Sequence, residues 1–122
     1  MFKKMECACL YTPDIVKSVD FYKTQGLTEI YREERVNRSG TGWVLVGLRF
    51  HQGGSDIFLQ DNPELKETDI EIVVDDVREK CADLLRQFPI DASIVVEPFA
   101  AGAGTIAVVR VPGETVVVLV GR

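Results

Sequence analysis

The sequence predicts an α+β fold made of two tandem βαβββ modules, about 1–61 and 62–122, forming a single domain. Three observations point to it. The order strand–helix–strand–strand–strand occurs twice along the chain, and both helices open on an acidic cap. Setting Cys7 against Asp69, an offset of 62 residues, brings Asp14 over Asp76, Ile15 over Val77 and Gln25 over Gln87. Late in each half, Phe58 falls over Val118 at an offset of 60. A repeat of about 61 residues is the signature of a duplicated structural unit.

Each element has its own justification. Residues 6–12 alternate as a half-buried strand, and Pro13 breaks it. Asp14 caps the following helix by accepting a backbone N–H of the first turn. Ile15, Val16, Val19 and Tyr22 then recur at helical spacing, and Gly26 supplies the left-handed stop. Strands are expected at 27–36, 42–51 and 55–60, divided by NRSGTG and QGGS. The polar stretch DNPELKET leads into DIEIVV (69–74), the first strand of the second half. Asp76 and Glu79 make a D-x-x-E capping box. Val77, Cys81, Leu84, Leu85 and Phe88 mark one helix face. Strands near 92–97, 105–111 and 115–120 complete the pattern, divided by FAAGAG and the turn VPGE.

A chain of 122 residues buries about two-thirds of its extended surface on folding, so a core forms without disulfides or a structural metal. A hydrophobic share of 46% beside 27% charged residues is globular composition. The net charge of −5 argues against nucleic acid, which needs a basic footprint, and favours cationic ligands through long-range steering. No apolar run reaches membrane-spanning length, so no membrane partner is expected. MFKK is basic, but Glu6 interrupts the short apolar stretch after it, so no secretory segment is read. With three cysteines, an odd number, the expectation is a cytoplasmic protein with reduced thiols.

Modules of this kind need their helices on one face of the sheet. In 6–12, Ala8 and Leu10 suit the helix side, leaving Cys7, Cys9 and Tyr11 opposite. In 69–74, Ile70, Ile72 and Val74 suit it, leaving Asp69, Glu71 and Val73. In 55–60 the remainder is Asp56, Phe58 and Gln60; in 42–51 it is Trp43 and Leu45, with Arg49 further along the row. A mixed polar and apolar face of that kind lines a ligand cavity or packs on a partner.

The stretch TPDIVKSVDFYKTQGLTEIY, with its D-F-Y and G-L ending, resembles the strand–turn–helix opening of the vicinal oxygen chelate superfamily. That superfamily includes glyoxalase I, extradiol dioxygenases, and fosfomycin- and bleomycin-resistance proteins. The paired βαβββ layout supports the resemblance over nearly the whole chain. It implies a curved mixed sheet with a cavity, and a homodimer that covers the open face. It also implies four inward ligand positions in metal-dependent members, which fall here on Cys7, Phe58, Asp69 and Val118. Two of these are apolar, and VPGE replaces the usual D-P-D-G turn. The reading is therefore the metal-free, bleomycin-resistance-like branch, with no cofactor and no catalytic residue.

Other candidates have plain readings beside the functional ones. Cys7 and Cys9 form C-x-C on one strand face, but alternate positions sit about 6.6–6.8 Å apart, awkward for two thiolates on one ion. Cys81 reads as a small buried hydrophobe, and His51, the single histidine, as a surface turn residue. Asp56, Asp69 and Glu71 are either inward carboxylates fit for proton transfer or a solvated rim. Tyr11, Trp43 and Phe58 suit stacking on a flat or cationic ligand, although Trp43 equally suits a dimer interface. Arg49 is a counter-ion or simply exposed. The expected ligand-binding set is Cys7, Cys9, Tyr11, Trp43, Arg49, Asp56, Phe58, Gln60, Asp69, Glu71 and Val118. The expected function is capture of a small cationic or aromatic compound, such as an antibiotic. The alternative is a glyoxalase-like lyase, isomerase or dioxygenase with an atypical metal site or a carboxylate base.

Overall fold

A computed structural model describes residues 1–121. The elements run β1 (Lys4–Tyr11), α1 (Ile15–Thr24), β2 (Thr28–Val36), β3 (Gly42–Arg49), β4 (Asp56–Gln60), β5 (Asp69–Val73), α2 (Val77–Gln87), β6 (Ser93–Ala101), β7 (Gly104–Val111) and β8 (Thr115–Gly121). The fold is α+β, with strand–helix–strand–strand–strand occurring twice. The chain packs as two compact units, one of residues Cys7–Thr68, the other of Met1–Glu6 with the chain from Asp69 onward. The first six residues thus join the second-half unit, and 62–68 join the first-half unit.

In the Cys7–Thr68 unit the strand order is β2-β3-β4-β1. The pairs β2–β3 and β3–β4 are antiparallel, and β4–β1 is parallel. Helix α1 covers one face through Val19, which clusters with Leu27, Val46, Leu48 and Leu59, with Leu10, Ile15, Tyr22, Val44 and Ile57 packed around them. Leu48, Leu59 and Val46 are almost fully enclosed. Asp14 caps α1 by accepting from the Lys17 N–H at 3.0 Å, and Gly26 takes φ +94° where the helix ends. Thr12 stands outside the strand expected to contain it. Its buried hydroxyl bonds the Ser18 hydroxyl at 2.6 Å and accepts from the Asp14 N–H, tying the end of β1 to the start of α1.

The second-half unit repeats the plan in the order β5-β8-β7-β6, with β5–β8 parallel and the other pairs antiparallel. Helix α2 packs Val77, Cys81 and Leu84 on Ala107, Val109, Val117 and Leu119. Asp76 caps it, accepting from the Glu79 N–H at 3.0 Å.

Four residues expected on the helix side are exposed instead, and one of them, Ile70 at the start of β5, is 40% exposed. Val16 is 68% exposed, because it sits beside the stripe defined by Ile15, Val19 and Tyr22. Leu85 and Phe88 are 39% and 40% exposed, since Val77, Cys81 and Leu84 already fill the narrow contact of an 11-residue helix. Strand β6 runs on to Ala101, through the segment expected to break it. Its partner on one side only is β7, so Pro98 removes no ladder hydrogen bond that a neighbour needs, and the register shifts between Val96 and Phe99. Gly102 at φ +58° then closes a tight hairpin, which keeps Phe99–Ala101 paired.

Candidate functional site

The strand register assigns the face of the Cys7–Thr68 unit that α1 does not cover. One row runs Tyr31–Gly47–Phe58–Cys9 across β2, β3, β4 and β1; the next runs Glu33–Leu45–Gln60–Tyr11. Arg35 pairs with Trp43 beyond them, and Cys7 pairs with Asp56 at the other end. Every first-half residue expected on the open face is therefore on it.

Gly47 shapes this face. A Cβ there would stand 2.8 Å from Phe58 Cζ and 3.1 Å from Tyr31 Cβ, so only glycine lets the Phe58 ring lie against β3. Phe58 and Tyr31 then meet with ring centroids 6.0 Å apart, tilted by 50°. Trp43 lies under the Arg35 guanidinium, 5.5 Å from the ring centroid, and the two line an open hollow with Glu34, Val36, Gly42 and Val44. The Trp43 Nε1 atom is buried without an acceptor, the only such side-chain polar atom among the described residues. Lys66 sits over the Tyr11 ring at 5.8 Å.

Charge on the face is locally compensated. Arg49 donates to both carboxylate oxygens of Asp56, at 3.0 and 3.1 Å, so the expected counter-ion role of Arg49 is filled inside the chain. Glu33 accepts from Arg35 Nη2 at 2.9 Å and from the Tyr31 hydroxyl. The Arg35 bond first, and the Tyr31 bond second, hold the Glu33 carboxyl down at about 2. The same carboxylate pushes the Tyr31 phenol up. Tyr31, Glu33 and Arg35 share the open face with Trp43, yet sequence reading missed them. TEIYREERV is polar on both faces, so alternation gives no side, and only pairing with β3 does.

Gln60 has a structural task. It is buried, its amide donates to the Leu65 carbonyl and its Oε1 accepts from the Asn62 N–H at 2.6 Å, which latches the loop after β4. Cys7 is 3% exposed and Cys9 half-buried. Their Sγ atoms lie within 4.8 Å of one another, closer than the strand repeat suggested. Cys81 is buried in the α2 core, where desolvation pushes its thiol up, and His51 is in an exposed turn.

In the second-half unit, Glu71, Val118, Val108 and Val96 share one row, and Val73, Val120, Ile106 and Phe99 share the next. Asp69 and Glu71 are half-buried, whereas Val118 is buried. The four ligand positions implied by the sequence resemblance do not fit a zinc- or iron-type ion. Phe58 and Val118 carry no donor atom, and the Phe58 ring is packed on Gly47 and Tyr31.

No protein-family model matches the chain, and no curated protein matches it. Solved structures do. A hypothetical protein (BH1468) from Bacillus halodurans C-125 aligns over 98% of this chain and 94% of its own, with 15% identity and a TM-score of 0.72. Methylmalonyl-CoA epimerase from Mycobacterium tuberculosis aligns over 98% and 88%, with 16% identity and a TM-score of 0.73. A variant of 4-hydroxymandelate synthase from Streptomyces coelicolor covers all of this chain but only 48% of its own, with 11% identity and a TM-score of 0.70. The epimerase and the synthase are vicinal oxygen chelate proteins, and the fold of this chain is theirs.

Proposed function

We propose that this protein captures a flat aromatic small molecule on the open face of its Cys7–Thr68 unit, without bond chemistry and without a catalytic metal ion. The arrangement of Trp43, Leu45 and Phe58 carries the reading. Leu45 lies about 6.8 Å along β3 from Trp43 on one side and from Gly47, which bears the Phe58 ring, on the other. That gives an apolar floor with an aromatic group at each end, the dimensions of a fused-ring compound. A cationic ligand has less support than an aromatic one. Arg35 already occupies the Trp43 face and Lys66 the Tyr11 face, so a ligand cation would have to displace them.

Sequestration of an antibiotic or a similar compound is the form of this function we favour, in the cytoplasm and as a homodimer. Val95, Val96 and Phe99 on strand β6 are 49%, 42% and 44% exposed, an apolar edge that a second copy would cover. Thermal-shift screening against a panel of fused-ring drugs and metabolites tests the capture. Stabilisation by at least one such compound, with no turnover of it, is the expected result. Uniform absence of any shift would overturn it.

The likeness to methylmalonyl-CoA epimerase favours a second reading, an enzyme of the isomerase, lyase or dioxygenase class with an atypical metal site or a carboxylate base. Elemental analysis tests the metal form of this reading, and turnover of a bound compound tests the carboxylate-base form. About one tightly held zinc, iron, nickel or manganese ion per chain would establish the enzyme reading.

A further inference from the structure

Resting on the capture reading, we propose that the compound taken up is an aromatic anion, a fused ring bearing a carboxylate, sulfonate or phosphate, with Lys66 as its counter-ion. The charged groups on the open face of the Cys7–Thr68 unit are not equally engaged. Glu33 accepts from Arg35 and from the Tyr31 hydroxyl, and Asp56 is held by Arg49 through both oxygens. A ligand cation would have to break an existing ion pair at either of them. Lys66 differs. Its ammonium sits 5.8 Å from the Tyr11 ring centroid and, among the described residues, ion-pairs with no carboxylate. An ammonium has three N–H donors, so it can rest on the ring and still serve an anion.

A buried latch fixes where the Lys66 side chain starts. Gln60 and Asn62 are 6% and 4% exposed, and the Gln60 amide donates to the carbonyl of Leu65, the residue before Lys66. Gln60 Oε1 accepts from the Asn62 N–H at 2.6 Å. The Asn62 side chain in turn accepts from the Glu64 N–H at 3.0 Å and from the Asn37 amide at 3.1 Å. Lys66 thus leaves a pinned loop to lie over the row that holds Leu45, Gln60 and Tyr11. Tyr11 stands two strands from Leu45 in that row, about 9.6 Å away. An acidic group on the rim of a ring seated at Leu45, turned towards β1, lies between the two, where the ammonium meets it. The net charge of −5 opposes an anion at long range, but salt screens that repulsion beyond about 8 Å and contacts set the affinity.

The test is calorimetric titration with three probes built on one ring system: naphthalene-2-carboxylate, its neutral amide and 2-naphthylmethylammonium. Wild-type protein should bind the carboxylate about tenfold more tightly than the amide, the gap between a charge-assisted and a neutral hydrogen bond, and the ammonium most weakly. Lys66→Met keeps the apolar stem and removes the charge. The carboxylate should then fall to the affinity of the amide, whose own binding should stay unchanged. Lys17→Met, on α1 at the covered side of the sheet, alters the net charge equally and should leave the preference intact. Equal affinity for carboxylate and amide, tightest binding of the ammonium, a preference that survives Lys66→Met, or its loss in Lys17→Met would each overturn the counter-ion and leave capture standing. Loss of the amide in Lys66→Met would make the lysine a structural element and overturn it too. Binding of none of the three probes would overturn both the counter-ion and the capture.

Discussion

The two halves of this chain share a helix-facing side and differ on the other. Against α1 and α2 both sheets present aliphatic rows, Val46, Leu48 and Leu59 in one and Ala107, Val109 and Leu119 in the other. On the open side, the Cys7–Thr68 unit carries Tyr11, Tyr31, Trp43 and Phe58 among paired charges. The second-half unit carries Val73, Val96, Val108, Val118 and Val120. The same backbone plan thus supports an aromatic, charge-dressed face and a mainly aliphatic one, whose rows also hold Glu71, Ile106 and Phe99. The side shared by the two halves carries the fold, and the proposed capture uses the side where they differ.

The largest expected effect falls on the shared side. Leu59→Ala and Leu119→Ala should each cost about 2–5 kcal/mol in denaturant melts, because each empties a fully enclosed site. Cys9→Ala on the open face should cost much less. Equal losses would erase the distinction between the sides.

A smaller loss is expected where the aromatic face meets the backbone. Gly47→Ala places a methyl group against the Phe58 ring and should cost about 1–3 kcal/mol as an overpacked contact. Adding Phe58→Ala should recover part of it, so that the double variant is more stable than the two single losses sum to. Strict additivity would show that the ring does not lean on Gly47.

The caps sharpen the likeness of the halves. Asp14→Ala and Asp76→Ala should each cost about 0.5–2 kcal/mol, since each carboxylate satisfies one N–H at 3.0 Å. A cost in one unit alone would mean that the helices are not equivalent.

The smallest effect is electrostatic and belongs to the open face. The Glu33 carboxyl is held at about 2 by Arg35 and Tyr31, so its pairing favours the folded state above the ordinary carboxylate range and is lost as pH falls through about 2. A carbon-detected NMR titration should give that low midpoint, and Arg35→Ala should move it upward. An ordinary midpoint in the wild type would remove the ion pair from the site.

Much of this was legible in the sequence, for physical reasons. Proline, glycine and acidic caps punctuate the chain, so all ten elements were expected in order. Two-residue alternation gave the open face of β1, β3 and β4. Alternation fails where both faces are polar, which hid Tyr31, Glu33 and Arg35 on β2. FAAGAG read as a breaker because sequence alone does not show that β6 runs on through Phe99–Ala101 in pairing with β7. Gln60 looked like a ligand contact because its direction was legible and its bonds to the 61–65 loop were not. The strand repeat spaces backbones, and side chains leaning together brought the Cys7 and Cys9 sulfurs closer than that repeat.

Titration of Trp43 fluorescence with the best fused-ring compound from the screen tests the recognition face most directly. Trp43 is the only tryptophan, so the signal has one source. Binding should change its emission, and Trp43→Ala, followed by calorimetry, should weaken affinity by about 1–3 kcal/mol, the range of an aromatic anchor. An unchanged emission on saturation, together with full affinity in Trp43→Ala, would contradict the assignment of recognition to this face.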